Sequence, residues 1–140
     1  MPCWLFSTPV SWIALPARVA SPASVKADVS SSTGSGAPGI EIVDVSDPES
    51  PSIVGSLSIS GSPRSVHVVG HTAYVAAHSG GLRIVDVSDP TNPVALGHYD
   101  TPNYTFDVHV VDTVAYLAEW EYGLTAVDVS DPSAPVVVGH

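Results

Sequence analysis

Histidine and carboxylate are the groups in this sequence best suited to chemistry, and both recur at one interval. His67 and His109 each sit in the phrase Val-His-Val-Val, and 109 − 67 = 42. A ring of neutral imidazoles about an axis could hold a transition metal, whereas a histidine that fills space between packed layers needs no ligand. Two histidines do not make a ring, so the packing reading is the simpler one. Asp47, Asp89 and Asp131 recur at the same interval, each before a proline. Carboxylates in a row along a rim would suit calcium, a hard cation that takes oxygen ligands. The alternative is an Asx turn, in which each carboxylate caps N–H groups of its own turn. There is no Asp-x-Asp-x-Asp-Gly pattern, and every copy carries the same turn residues, which favours the turn. No cofactor is required. Asp44, Asp86 and Asp128 fall at strand ends, where a carboxylate accepts nearby backbone or hydroxyl hydrogen bonds rather than lying buried and unpaired.

Glu119-Trp120-Glu121-Tyr122 is the stretch least like its neighbours, replacing Ala77-His78-Ser79-Gly80 one interval earlier. Variation in a loop on a regular scaffold is where binding specificity usually resides. A Trp-Tyr pair between two carboxylates could stack on a sugar ring or anchor a protein partner; plain tolerance of substitution at a solvent loop explains it equally well. Nothing supports nucleophilic catalysis or phosphate binding: there is no Gly-x-Ser-x-Gly, no phosphate loop and no His-Glu-x-x-His. Fourteen acidic residues against four Lys and Arg give a net charge of −10, which repels a phosphate backbone and argues against nucleic acid as a partner. The single cysteine, Cys3, excludes an intrachain disulfide and any multi-cysteine metal site.

The elements that must position these residues come from a repeat. Ile42-Val43-Asp44-Val45-Ser46-Asp47-Pro48 returns as Ile84–Pro90 and as Ala126–Pro132. Residues 39–80 align with 81–122 at 17 of 42 positions, and 81–98 with 123–140 at 12 of 18, so the likeness spans the whole unit. A fixed period of this size marks a repeat architecture. The central copy reads as four short strands near Ser65–Val69, Ala73–Ala77, Leu82–Val87 and Val94–Tyr99, rich in β-branched and aromatic residues. Gly70-His71 is a two-residue hairpin link, and Asp89-Pro90-Thr91-Asn92-Pro93 breaks the chain before the last strand. Leu82 and Ile84 on one face of the third strand, with Val85 and Val87 on the other, require cover on both sides. Radially stacked propeller blades supply that cover. The sequence therefore predicts an all-β chain: a partial β-propeller of about two and a half four-stranded antiparallel blades. A parallel β-helix is the runner-up, and helical repeats are excluded because no segment carries a 3.6-residue stripe.

The phrase Gly81-Leu82-Arg83-Ile84-Val85-Asp86-Val87-Ser88-Asp89-Pro90, followed by Pro93-Val94 and Gly97, resembles the LVIVD repeat family. The resemblance covers 39–140, with repeats starting at 39, 81 and 123. It implies an exported or cell-surface binding or scaffold module of extracellular location, built as a propeller and without established catalytic residues. Complete members of that family carry more copies, so missing blades of the same polypeptide are expected. The competing class is a propeller enzyme or metal-binding protein with a site near the axis at His67 and His109. Upstream, residues 1–20 are apolar but too short and too proline-interrupted for a membrane span. They read as a leader or a non-native extension. Residues 21–38 are rich in Ser, Pro, Ala and Gly and read as a linker. The phase of the repeat has a further consequence. Because the first copy opens on a third strand, with no first and second strand before it, one edge of that strand is expected to be unpaired, a route to association.

Overall fold

The computed structural model describes residues 38–140, and before them the backbone of two short strands, Trp12–Ala14 (β1) and Ala23–Asp28 (β2). The leader and linker expected over 1–20 and 21–38 otherwise lie outside the described residues. The repeat region supplies ten strands: β3 Gly39–Asp44, β4 Ser52–Ser58, β5 Ser65–Val69, β6 Thr72–Ala76, β7 Leu82–Asp86, β8 Val94–Tyr99, β9 Thr105–Val111, β10 Val114–Glu119, β11 Gly123–Asp128 and β12 Val136–Gly139. The central four begin and end within a residue of the boundaries read from the sequence. No helix among the described residues is long and apolar enough to cross a membrane.

Strands β5–β8 form one antiparallel sheet in chain order, β9–β12 form a second, and β3 pairs with β4 in a third. The repeat region thus provides two whole blades and the outer half of another, as its phase predicts. The bare edge expected on β3 is corrected by the backbone of β2. This strand pairs with β3 along its length, from Ala23 opposite Asp44 to Asp28 opposite Gly39, and β1 pairs with β2 in turn. A β3 edge offers a row of N–H and C=O groups that any adjacent extended segment can satisfy. Composition rich in Ser and Ala does not announce such a segment. Antiparallel pairing of β5 with β6, Val69 opposite Thr72 across Gly70-His71, excludes the β-helix. Gly70 takes φ +61°, and its counterpart Asp112 is held at φ +53° in the equivalent link. That left-handed conformation is free for Gly and strained for Asp.

The middle blade is covered on both faces. Toward the first blade, Val66, Ala73, Val75, Val85 and Val87 pack with Ile40, Ile42 and Ile59. Toward the third, Tyr74, Ala76, Leu82 and Ile84 pack with Val108, Val110, Ala115, Leu117, Val127 and Val129. Glycines in the outermost strands close these seams. A Cβ on Gly55 would lie 2.0 Å from the carbonyl oxygen of Pro90, and one on Gly97 2.2 Å from that of Pro132. Each outer strand therefore presses its backbone on the Asp-Pro turn of the next blade. Gly139, at the same repeat position, has nothing within 4 Å.

The third blade leaves its far face open. Leu82 is fully buried, while Leu124 at the same repeat position is 55% exposed. Equivalent repeat positions predict that Tyr74 and Tyr116 both pack their rings between blades with their hydroxyls on a polar partner, a mismatch in burial counting against the repeat register. They do not match: Tyr74 is 6% exposed and Tyr116 37%. The register is nevertheless intact, since Tyr74 stands between His67 and Ile84 as Tyr116 stands between His109 and Ala126. The exposure differs because a blade covers one ring and none of the described residues covers the other. Burial raises the Tyr74 phenol above its ordinary pKa. The polar partner expected for its hydroxyl does not appear among the described residues.

Candidate functional site: an aromatic rim spanning two blades

Three connections meet at one end of the second and third blades: β6–β7 (77–81), β8–β9 (100–104) and β10–β11 (120–122). In the first, Gly81 takes φ +69° and the Ala77 N–H donates to the Gly81 carbonyl at 2.7 Å. The turn leaves His78 at φ +51°, where it exchanges both backbone hydrogen bonds with Thr105 at 3.0 and 3.1 Å. This bridge between blades lays the His78 imidazole on Tyr104, with ring centres 4.1 Å apart and planes 7° from parallel. Phe106 meets His78 edge-on at 5.3 Å, and Trp120 lies 5.8 Å from Phe106. The Trp120 N–H donates to the Tyr104 carbonyl at 3.0 Å, which fixes the indole's root. Three rings from the three connections, together with Phe106 of β9, thus form one continuous row. Trp120 is 71% exposed on it, with Tyr104 and Phe106 partly open to solvent. Burial, and then the nearby Arg64 guanidinium, lower the pKa of His78 below its ordinary value.

Beside the rings lies a cleft of about 370 Å3 lined by Ser79, Thr101, Pro102, Asn103, Tyr104 and Glu121. Asn103 is locked on both sides. Its Oδ1 accepts the Tyr104 N–H at 2.8 Å, and its Nδ2 donates to Glu121 at 2.9 Å. The Thr101 hydroxyl donates to the Asn103 carbonyl at 2.6 Å and meets the Thr105 hydroxyl at 2.9 Å. The loop carries its own internal hydrogen bonds.

The four residues singled out in the β10–β11 stretch separate. Trp120 and Glu121 belong to the rim. Tyr122 is exposed but faces His140, with ring centres 6.3 Å apart, and is not stacked with Trp120. Glu119 is the last residue of β10 rather than part of a loop, and it is 6% exposed. Both its carboxylate oxygens are buried and without a partner among the described residues. It pairs across strands with the fully buried Thr105, and the repeat places Ala77 at this position in the preceding blade. Sequence reasoning missed His78, Asn103, Tyr104 and Phe106. A signal was present, because Asn103, Tyr104 and Phe106 replace Gly61, Ser62 and Arg64 of the preceding copy.

His67 and His109 lie on β5 and β9, the first strands of adjoining blades, with rings stacked at 4.5 Å. His67 Nδ1 accepts the Val110 N–H at 2.8 Å. Its proton therefore sits on Nε2, and neither nitrogen offers a lone pair to a metal in this arrangement. Burial, and then the neighbouring His109, lower the His67 pKa, opposed by Asp107. Among the described residues no three His, Cys, Asp or Glu side chains are grouped to hold a metal ion.

Asp47, Asp89 and Asp131 each cap their own turn, accepting the N–H groups of Glu49, Thr91 and Ser133 at 3.0 Å. Asp44, Asp86 and Asp128 do the same for Ser46, Ser88 and Ser130 at 2.8 Å. Hydroxyl bonds from Thr91 and Ser133 add to the backbone bonds and hold Asp89 and Asp131 below the usual carboxylate pKa. Backbone bonds from Ser46 and Ser130 do so for Asp44 and Asp128.

Compared with known families, the chain matches the LVIVD repeat at residues 36–58, 60–101 and 102–140. These segments cover most of its length. The chain belongs to the LVIVD repeat family. Two of the three matched units coincide with blades: 60–101 contains β5–β8 and 102–140 contains β9–β12, while 36–58 holds β3 and β4. Each of these two matched units is thus one four-stranded blade. No curated protein matches the chain.

Proposed function

We propose that this LVIVD-repeat chain is a non-catalytic binding module, exported or displayed at the cell surface. Its binding end is the aromatic rim, and its partner is a protein or a carbohydrate. The observation that carries this reading is Trp120, held 71% exposed at the end of a row of rings in the stretch that departs most from the repeat. An indole left in water forfeits its apolar burial, a loss recovered only when something covers it. Glu119 supports the same reading. A buried carboxylate without a hydrogen-bond partner among the described residues costs stability where the preceding blade carries Ala77. Departures of this kind gather at functional sites. The uncovered Tyr116–Leu124 face belongs, in this reading, to a further blade of the same polypeptide.

The test is a binding screen of the full chain against arrayed glycans and peptides, repeated with Trp120→Ala. A ligand bound by the wild type and lost by the variant, with thermal melting unchanged, is the expected result. Ligands held equally by both proteins would sink the rim as the binding end. For location, antibody labelling of intact cells is compared with labelling after lysis, and signal seen only after lysis would remove the surface assignment.

A further inference from the structure

The chemistry around Trp120 narrows the ligand, on the assumption that the rim is the binding end. Asn103 has one amide hydrogen left after its bond to Glu121, and its orientation is held by the Tyr104 N–H. Glu121 keeps its remaining lone pairs. Next to their mutual 2.9 Å bond, a second Asn103 amide hydrogen and further Glu121 lone pairs have no other partner among the described residues, in a cleft walled by Tyr104, whose carbonyl holds the backbone N–H of the exposed Trp120. We propose that the rim binds a neutral carbohydrate: one sugar ring lies on Trp120, and a vicinal pair of its hydroxyls engages Asn103 and Glu121. One hydroxyl oxygen accepts the free Asn103 N–H, and the adjacent hydroxyl donates to the Glu121 carboxylate. The aliphatic face of a sugar ring suits an aromatic surface, and its edge suits polar groups set at the side of that surface.

Other occupants fit less well. A lysine or arginine brings only donors, so it satisfies Glu121 but leaves the Asn103 hydrogen facing another donor. An acidic glycan meets Glu121 and a chain of net charge −10. A folded protein partner prefers a hot spot ringed by contacts that exclude water. Here the cleft that Tyr104 lines is polar, with Ser79, Thr101, Asn103 and Glu121 in its lining. Its volume of about 370 Å3 lies in the range of small-ligand sites. The polar groups are already held by one another, so little ordering remains to be done on binding.

The experiment is calorimetric titration of the full chain with three probes: short neutral oligosaccharides of glucose, mannose and N-acetylglucosamine, a lysine-rich peptide, and oligogalacturonate. Wild type, Trp120→Ala, Asn103→Ala and Glu121→Gln are compared, with melting curves to establish that each is folded. A neutral oligosaccharide should bind with little change in affinity as salt rises from about 0.05 to 0.5 M. Trp120→Ala and Asn103→Ala should each weaken it by about tenfold or more. Glu121→Gln should weaken it less, because an amide oxygen still accepts. The inference is overturned if no neutral oligosaccharide binds at millimolar concentration, or if binding survives Trp120→Ala. It is also overturned, while the rim remains the binding end, if the lysine-rich peptide alone binds and is lost in Trp120→Ala.

Discussion

Leu82 and Leu124 occupy the same place in successive repeats, so truncating each to Ala isolates the effect of the covering blade. Leu82 is completely buried in the seam between the second and third blades. Removing three carbons from it forfeits about 2.4 kcal/mol of transfer free energy, at about 0.8 kcal/mol for each. A residual cavity brings the expected cost to about 3 kcal/mol or more, because Ile84, Val108 and Leu117 around it relax only in part. Leu124 is 55% exposed, so less than half of its surface is out of water and no enclosed cavity can form. Its truncation should cost about 1 kcal/mol or less. Urea denaturation followed by far-UV circular dichroism measures both, and a difference of about 2 kcal/mol is large against a total stability of about 5–15 kcal/mol. Equal and large losses would show that the Leu124 face is covered in solution, by a second copy or by chain outside the described residues. A small loss at Leu82 would refute the packed seam itself.

Three further expectations rest on particular contacts. Gly97→Ala should destabilise by about 1–3 kcal/mol, since its Cβ would sit 2.2 Å from the Pro132 carbonyl oxygen, whereas Gly139→Ala should change stability by less than about 0.5 kcal/mol; the pair is measured by the same urea titration. Glu119→Ala, which restores the residue found at Ala77, should stabilise by about 1–3 kcal/mol, and a loss of stability would reveal a partner for the carboxylate. The folded state holds the His67 pKa below the ordinary 6.5, so the unfolded chain takes up the proton first. Stability should therefore fall as pH drops from about 6.5 toward the lower folded value and then level off, and the fall should be smaller in His67→Gln when melting is followed across that range.

The legible part of this protein was whatever one repeat unit dictates to its own strands. Alternating Val, Ile and Leu, Gly70 at a two-residue link and two prolines after each Asp-Val-Ser-Asp are local instructions. Copied at a constant interval, they place β5–β8 within a residue of their observed ends and commit each aspartate to its own turn. Both faces of β7 being apolar was enough to require a blade on either side. What the local pattern does not carry is which neighbour arrives. Leu82 and Leu124 are the same residue in the same phrase, yet one lies at the centre of a seam and the other in solvent. Glu119 reads as a loop carboxylate until β9 and the second blade close over it. The rim is assembled from His78, Tyr104, Phe106 and Trp120, residues up to 42 positions apart (120 − 78 = 42), and the bridge that joins them runs through backbone groups common to every residue. The β2 strand beside β3 was hidden for the same reason, because its ladder is made by main-chain hydrogen bonds that leave no trace in composition.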